Sequence, residues 1–187
     1  MRPELDRSDP DQATVQLRIV DPRSDEPFFE EVPVGPLGGD RYRLLASPGL
    51  LDGLAAGDVF VRHPDGGYDV VERGGNVCVQ VYFPGHDPGE RVEGRLVPAV
   101  ERLGGWLDGR TPGAAIFTIP VSAGFAAIER VFEGWVGGEP DLSWSYANVY
   151  GPDGDHLRWW EPCVTRTRRR SQSQGRRTVS RTGPGTN

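Results

Sequence analysis

Lysine is absent from this 187-residue sequence, and cysteine, histidine and methionine are scarce, with two, three and one copies respectively. Two cysteines, Cys78 and Cys163, are too few for a disulfide framework, so we expect free thiols in a reducing compartment. No window approaches the roughly 18 consecutive apolar residues of a membrane-spanning helix. The amino-terminal residues also lack the apolar core of a signal peptide. These absences argue against a disulfide-stapled secreted scaffold and predict a cytoplasmic protein.

Charge is distributed unevenly along the chain. The net charge is −6, yet seven of the 21 arginines follow Thr165, where no acidic residue occurs. Residues 1–165 therefore carry 14 basic and 27 acidic side chains, a net charge of −13. Such an acidic body repels nucleic-acid phosphate and anionic lipid, and it suits a basic partner. Solubility alone is the other common reason for a net negative charge.

Changes in composition divide the chain into four segments. We predict a mobile leader at residues 1–12 and a β-rich curled sheet at residues 13–75. An α+β unit follows at residues 76–160, and residues 161–187 form an arginine-rich tail that we expect to be disordered. Because 36% of the residues are apolar, the two middle segments can bury a substantial core.

Alternating apolar residues and frequent turn signals predict five short strands in the first half. These strands are predicted at residues 14–20, 28–34, 41–46, 59–62 and 68–73. Short strands with turns at close intervals are typical of an antiparallel sheet that curls into a partial barrel. Pro33 and Pro36 should place the second strand near an edge or end it.

The second half alternates strand and helix signals. Its strands are predicted at residues 76–83, 106–107, 114–121 and 142–150. A first helix should begin at Asp87 and bend at Pro98, and a second should be capped by Ser122. This order predicts a ferredoxin-like βαββαβ unit. The predicted fold class is therefore α+β, with the curled sheet packed on this unit and sharing the strand Asn76 to Phe83.

Several runs resemble one bacterial family. They are Gly39 to Pro48 (GDRYRLLASP), Leu54 to Val59 (LAAGDV), Val70 to Arg73 (VVER) and Val77 to Pro84. These runs are similar to the family catalogued as domain of unknown function 4265, over roughly residues 28–150. The resemblance implies no activity, cofactor or catalytic residue. Pro98 and the arginine-rich tail depart from it.

Histidine and cysteine supply the obvious candidates for metal binding, acid–base work or nucleophilic catalysis. His63, His86 and His156 share no helix face or ligand spacing, so we favour ordinary exposed histidines and predict no metal site. Cys78 could act as a nucleophile if its pKa were lowered. Because it lies between Val77 and Val79 in a strand, we favour a buried, inert thiol. Three histidines meeting in space would revive the metal hypothesis.

Carboxylates and glycines occur together in the first half of the chain. Asp58 could join a catalytic carboxylate pair, but most of the aspartates in this region adjoin glycine, where Asp favours turns. They are Asp40, Asp52, Asp58, Asp65 and Asp69. The glycine pairs never show the spacing of a phosphate-binding loop before a helix, so we reject nucleotide binding and predict no cofactor.

A polar and aromatic set provides a further candidate site. In a split β-α-β sheet the first and last strands are neighbours or near neighbours, so Gln80 and Tyr82 could present a ligand-binding face together with Trp144 and Tyr146. The alternative, which we favour, is that the amino-terminal sheet covers this face and makes these residues part of an interface core.

The tail offers a possible anion-binding site. Its arginines could bind nucleic acid or anionic membrane through counterion release. They could equally fold back onto the acidic body, or have no function. The arginines concerned are Arg166, Arg168, Arg169, Arg170, Arg176 and Arg177.

Taken together, these features favour a non-catalytic cytoplasmic binding or regulatory module that engages a protein partner, such as an inhibitor or immunity-type protein. A small enzyme is the alternative, with a groove formed by Asp58, His63, Cys78, Gln80 and Tyr82. Nonspecific nucleic-acid binding through the tail is the third hypothesis.

Overall fold

Five strands in the first half form one antiparallel sheet. The structure is a computed structural model and describes residues 12–20, 26–83, 91–137, 141–151 and 153–161. Each strand of the sheet pairs with the next along the chain. The strands are β1 (Ala13–Ile19), β2 (Phe28–Gly38), β3 (Arg41–Leu44), β4 (Val59–Arg62) and β5 (Tyr68–Glu72).

This sheet curls but stays open. Among the described residues β1 and β5 do not pair, so the sheet does not close into a barrel. Its curl brings β1 to the β4–β5 turn, where the Arg18 backbone N–H donates to the Gly66 carbonyl at 2.8 Å. β2 lies inside the sheet and runs on to Gly38, contrary to the prediction from its prolines. The ladder tolerates Pro36 because the register shifts between Pro36 and Gly38.

The second half forms a separate four-stranded antiparallel sheet with helical segments between its strands. Its spatial order is β7-β8-β6-β9. The elements are β6 (Asn76–Tyr82), a π-helical turn (Val92–Leu96), α1 (Val97–Glu101), β7 (Trp106–Thr111), β8 (Ala114–Pro120), α2 (Phe125–Val136) and β9 (Ser143–Tyr146). β6 pairs with β8 and β9 and with no described strand of the first sheet. The prediction that both sheets share this strand is therefore wrong, because β6 forms its described ladder bonds within the second sheet.

Pro98 accounts for the irregular first helix. Its missing N–H cannot bond to the carbonyl one α-turn earlier. The preceding turn widens, and the Val97 N–H bonds to the Val92 carbonyl, five residues back. Pro98 is then accommodated at the second position of α1. The predicted bend thus takes the form of a π-helical turn, while the predicted start at Asp87 lies outside the described residues.

The start of α2 differs from the prediction. Val121 N–H extends the β6–β8 ladder by donating to the Gly75 carbonyl at 2.9 Å. A short 3₁₀ turn (Val121–Ala123) follows, and Gly124 occupies the N-cap position. Ser122 therefore lies within that turn, and the prediction that it caps the helix is wrong.

The buried side chains of the described residues form three clusters. One lies inside the curled sheet around Leu17, Leu54 and Phe60. The largest lies between the second sheet and its helices, and it includes Phe117 and Phe132. The third joins the two halves, because the outer face of β6 and β8 packs against the loop after β3, with these buried members: Ala55, Cys78, Ile116 and Ala147.

β9 ends at Tyr146, four residues before the predicted end, because a side chain takes over the pairing. Asn148 is fully buried. Its Oδ1 accepts from the Cys78 N–H at 3.0 Å, and its Nδ2 donates to the Asn76 carbonyl at 2.9 Å. This amide therefore continues the ladder to β6 after the main chain has turned away. β7 is longer than predicted and reaches Thr111 across a bulge between Leu107 and Gly109.

Candidate functional site

Asp58 is a buried structural carboxylate. Its Oδ2 accepts from Arg73 Nη1 at 2.9 Å and from the Ala55 N–H at 3.1 Å, and its Oδ1 accepts from the Gly74 N–H at 2.7 Å. Burial raises the pKa of Asp58, while these hydrogen bonds and the Arg73 charge act in the opposite direction. Every partner belongs to the junction between the loop before β4 and the turn before β6. Asp58 thus fastens two loops together.

His63 lies apart from the other predicted site residues. Its Nε2 is 3.1 Å from Asp69 Oδ2, and both side chains are substantially exposed. It occupies the turn after β4, where its backbone N–H bonds to the Gly67 carbonyl at 2.8 Å. The His156 ring lies against the Tyr150 ring in a tilted arrangement, with centroids 4.7 Å apart, and His86 lies outside the described residues.

Cys78 and Gln80 are buried where the two halves meet. The Cys78 thiol is fully buried, and burial raises its pKa, which opposes formation of the thiolate. Gln80 Nε2 donates to the carbonyls of Gly49 and Pro48 at 3.2 and 3.4 Å. Its Oε1 accepts from the Tyr82 hydroxyl. The Gln80 amide therefore holds the loop after β3 against β6.

Trp144 and Tyr146 do not share a face with Gln80 and Tyr82. In the β6–β9 register Trp144 stands opposite Val81, and Tyr146 stands opposite Val79. Both aromatics therefore point to the helical side of the sheet, since side chains alternate along a strand. These four residues therefore do not form one ligand-binding face. The favoured alternative, an interface core under the amino-terminal sheet, fits the buried Gln80 but not Trp144 and Tyr146, which pack on the helical side.

The described residues around Trp144 and Tyr146 instead form a groove beside α2. Its volume is about 340 Å³, and it is open to solvent. Trp144 and Tyr146 are half-buried there, with ring centroids 5.1 Å apart in an edge-to-face arrangement. Its lining consists of Glu129, Glu133, Trp144, Ser145, Tyr146 and Tyr150. We call this the α2–β9 groove.

Two carboxylates give the groove a negative field. Glu129 and Glu133 are four residues apart on α2, so they lie one turn apart on the same helix face. Like charges at this spacing repel each other and destabilise a helix slightly. Burial raises the pKa of the Tyr146 hydroxyl, and the nearby Glu129 and Glu133 charges raise it further. A cation in the groove would relieve this repulsion.

One residue that lines the groove also has a buried polar atom without a partner. The hydroxyl oxygen of Tyr146 is buried and makes no hydrogen bond within the described part of the chain. A buried hydroxyl left unbonded costs about 1–3 kcal/mol.

One edge of β9 also faces away from its partner strand. β9 pairs with β6 alone among the described strands. The Ala147 N–H bonds to the Cys78 carbonyl at 3.0 Å, so by the alternation of an antiparallel ladder Ser145 also directs its backbone groups to β6. The backbone N–H and C=O groups of Trp144 and Tyr146 therefore point away from β6, towards the free edge.

Sequence reasoning included Trp144 and Tyr146 but missed Glu129, Glu133 and Tyr150. The available signal was the helix pattern, because the buried stripe of α2 contains Ile128, Phe132 and Trp135. Glu129 directly follows Ile128, and Glu133 directly follows Phe132. Both carboxylates therefore lie at the border of the buried stripe. Only the packing of α2 beside β9 brings these carboxylates to the aromatics.

Replacing Tyr146 with Phe should stabilise the free protein by about 1 kcal/mol, because the change removes a buried hydroxyl that lacks a partner. Urea unfolding followed by tryptophan fluorescence would measure this. Tyr150→Phe is the matched control, since Tyr150 is 43% exposed and its change should be within about 0.5 kcal/mol. A loss of stability in Tyr146→Phe would mean that the hydroxyl is bonded in solution.

Two further classes of site can be addressed for the described residues. No helix among them is both long enough and apolar enough to cross a membrane. Within the same residues, no three His, Cys, Asp or Glu side chains are grouped so that they could hold a metal ion. Cys163 and the six predicted anion-binding arginines of the tail lie outside the described residues.

Comparison with known proteins gives a family and a fold. No curated protein is similar enough to count as a match. A solved structure of a hypothetical protein from Neisseria gonorrhoeae is similar, with a TM-score of 0.57 and 14% identity. That alignment covers 73% of this chain and 94% of the other, and at this identity the likeness concerns the fold alone. Residues 30–141 match the family described as Domain of unknown function (DUF4265), so this chain belongs to that family.

Proposed function

We propose that this chain is a cytoplasmic, non-catalytic binding module that engages an extended cationic segment of a protein partner in the α2–β9 groove. The observation that carries the proposal is the meeting of two carboxylates with two aromatic rings at a free strand edge. An inhibitor or immunity-type role is compatible with it, because such a protein acts by occupying its partner.

Each part of the groove suits a different part of such a ligand. Arginine or lysine side chains would be attracted to Glu129 and Glu133, and a guanidinium can also stack on the faces of Trp144 and Tyr146. An extended backbone could pair with the free edge of β9, as peptides do when they add a strand to a sheet.

We also infer that residues 76–160 form a ferredoxin-like unit, separate from the curled sheet at residues 13–75. The order of elements from β6 to β9 and the antiparallel spatial order β7-β8-β6-β9 support this inference. In this arrangement the last strand is an edge strand and the second helix packs beside it. The α2–β9 groove then forms where the second helix of this topology packs beside its edge strand.

The small-enzyme alternative requires an ionised Cys78 that a substrate can reach. Cys78 is fully buried, its pKa is raised, and its thiol lies 3.7 Å from the Pro48 carbonyl. Asp58 is occupied with structural donors, and His63 pairs with Asp69 on the surface. These contacts favour the binding module over the enzyme.

The double substitution Glu129→Gln and Glu133→Gln should weaken binding of a cationic peptide by about tenfold or more, since it removes both charges of the groove while keeping the side-chain shape. The measurement is fluorescence anisotropy with a labelled peptide of alternating arginine and serine. A peptide of alternating glutamine and serine controls for nonspecific adhesion.

Glu72→Gln with Glu101→Gln is the matched control variant. Both residues are exposed and distant in the chain from the groove, and the pair removes the same net charge. If the two double variants lose affinity equally, binding reflects the overall negative charge and the proposed groove is wrong. Denaturation of each variant should show unchanged stability within about 0.5 kcal/mol.

A further inference from the structure

The end of the described chain lies close to the α2–β9 groove. The Trp160 ring is 4.9 Å from the Phe125 ring, and the Phe125 ring is 5.5 Å from the Tyr146 ring, centroid to centroid. Tyr146 lines the groove. The Phe125 ring therefore contacts both Trp160 and a residue that lines the groove. The polypeptide continues from Glu161 at this place.

The sequence that follows has the charge that the groove attracts. After Glu161 there is no acidic residue, and seven arginines occur between residues 166 and 181. Residues 161–165 precede the first of them and can extend over about 17 Å, since an extended chain spans up to about 3.4 Å per residue. This length exceeds the two centroid distances, 4.9 and 5.5 Å, that lead from Trp160 through Phe125 to Tyr146.

We propose that the arginine-rich segment from Arg166 to Arg177 occupies the α2–β9 groove of its own chain and that a cationic partner binds by displacing it. The inference rests on the proposed function of the groove and adds a regulatory device to it. A tethered segment acts at an effective concentration in the millimolar range, so even weak docking in cis competes with a partner in solution.

The charges account for the competition. Glu129 and Glu133 face the same site that an external arginine-rich peptide would use, so only one cationic segment can neutralise them at a time. Raised salt weakens the contacts of exposed charges. Docking in cis should therefore be strongest at low salt, where the acidic body and the tail attract each other over the longest distance.

The test uses the full-length chain with its tail neutralised but not shortened. The variant carries R166Q, R168Q, R169Q, R170Q, R176Q and R177Q, which keep the length and remove six positive charges. Its affinity for the labelled arginine–serine peptide is compared with that of the wild type. The same comparison is made in the E129Q/E133Q background.

The proposal predicts that the tail-neutralised chain binds the peptide about tenfold or more tightly than the wild type, because the competitor has been removed. This gain should disappear in the E129Q/E133Q background. The gain should also be independent of protein concentration, as docking within one chain requires, and wild-type samples should remain monomeric in sedimentation.

Three other outcomes would overturn the proposed docking in cis, and one of them would also overturn the proposed function of the groove. Equal affinities of the wild type and the tail-neutralised chain, both lowered by E129Q/E133Q, would disprove docking in cis while leaving the proposed function intact. A gain that survives in the E129Q/E133Q background would place the tail elsewhere on the acidic surface. No effect of E129Q/E133Q in either chain, with no gain from tail neutralisation, would overturn both proposals.

Discussion

Replacing Gly74 with Ala should destabilise the protein by about 4 kcal/mol or more, enough to prevent much of it from folding. A Cβ atom at Gly74 would lie 2.3 Å from the Gly57 carbonyl carbon and 2.6 Å from its Cα. The obstacle is backbone, which cannot move aside as a flexible side chain can. Urea unfolding would measure the loss, and the soluble yield would give a first indication.

Two other glycines, Gly75 and Gly113, serve as controls for this prediction. Gly75 has a φ of +78° but open space where a Cβ would go, so Gly75→Ala should cost only about 1–2 kcal/mol of backbone strain. Gly113 has open space and no left-handed backbone, and its change should be within about 0.5 kcal/mol. If Gly74→Ala lowered the free energy of unfolding as little as Gly113→Ala, the close approach of Gly74 to the Gly57 backbone would be contradicted.

Asp58→Ala is expected to cost about 3–5 kcal/mol, because it leaves Arg73 without its buried partner and removes the acceptor of two backbone N–H groups. Its carboxylate is fully buried, and the same crossing of loops depends on it. Chemical denaturation would measure the change. This substitution and Gly74→Ala act on the same crossing of loops between the curled sheet and β6.

Asp69→Ala is the matched control, since Asp69 pairs with His63 at the surface and exposed ion pairs contribute about 0.2–1 kcal/mol. A small effect of Asp58→Ala, comparable with that of Asp69→Ala, would contradict a structural role. It would also return Asp58 to the residues available for a functional site.

Most strands could be predicted from the sequence because alternation and turn residues act locally. β4 has the predicted bounds, and β5, β6 and β8 each differ by one residue at the end. The pattern fails where a distant group decides the outcome. β9 stops early because the Asn148 side chain replaces main-chain pairing, and α2 starts late because Val121 still bonds to Gly75.

The junction of the two halves was predicted in outline. Cys78 was expected to be buried, and it is. What covers it could not be predicted, because the loop after β3 has no periodic pattern. That loop supplies the Pro48 and Gly49 carbonyls that bind Gln80. A groove between the two halves was considered from the sequence, yet this loop fills the position beside Cys78 and Gln80.

The candidate site was the part least accessible to sequence reasoning. Trp144 and Tyr146 were selected for their aromatic character, but the register of β9 against β6 decides which face they occupy. A shift of one residue would reverse every side chain. The carboxylates of Glu129 and Glu133 come from another element, and no spacing rule connects a helix face with a strand that follows the next turn.

An NMR titration tests most directly whether the α2–β9 groove binds an extended cationic segment. The full-length chain with the six tail substitutions is titrated with the arginine–serine peptide while backbone amide shifts are followed. We predict that the largest shifts occur at Trp144, Ser145 and Tyr146 and along α2 from Glu129 to Glu133. Shifts spread over acidic surface such as Glu31, Asp40 and Glu72, with none at β9, would contradict it.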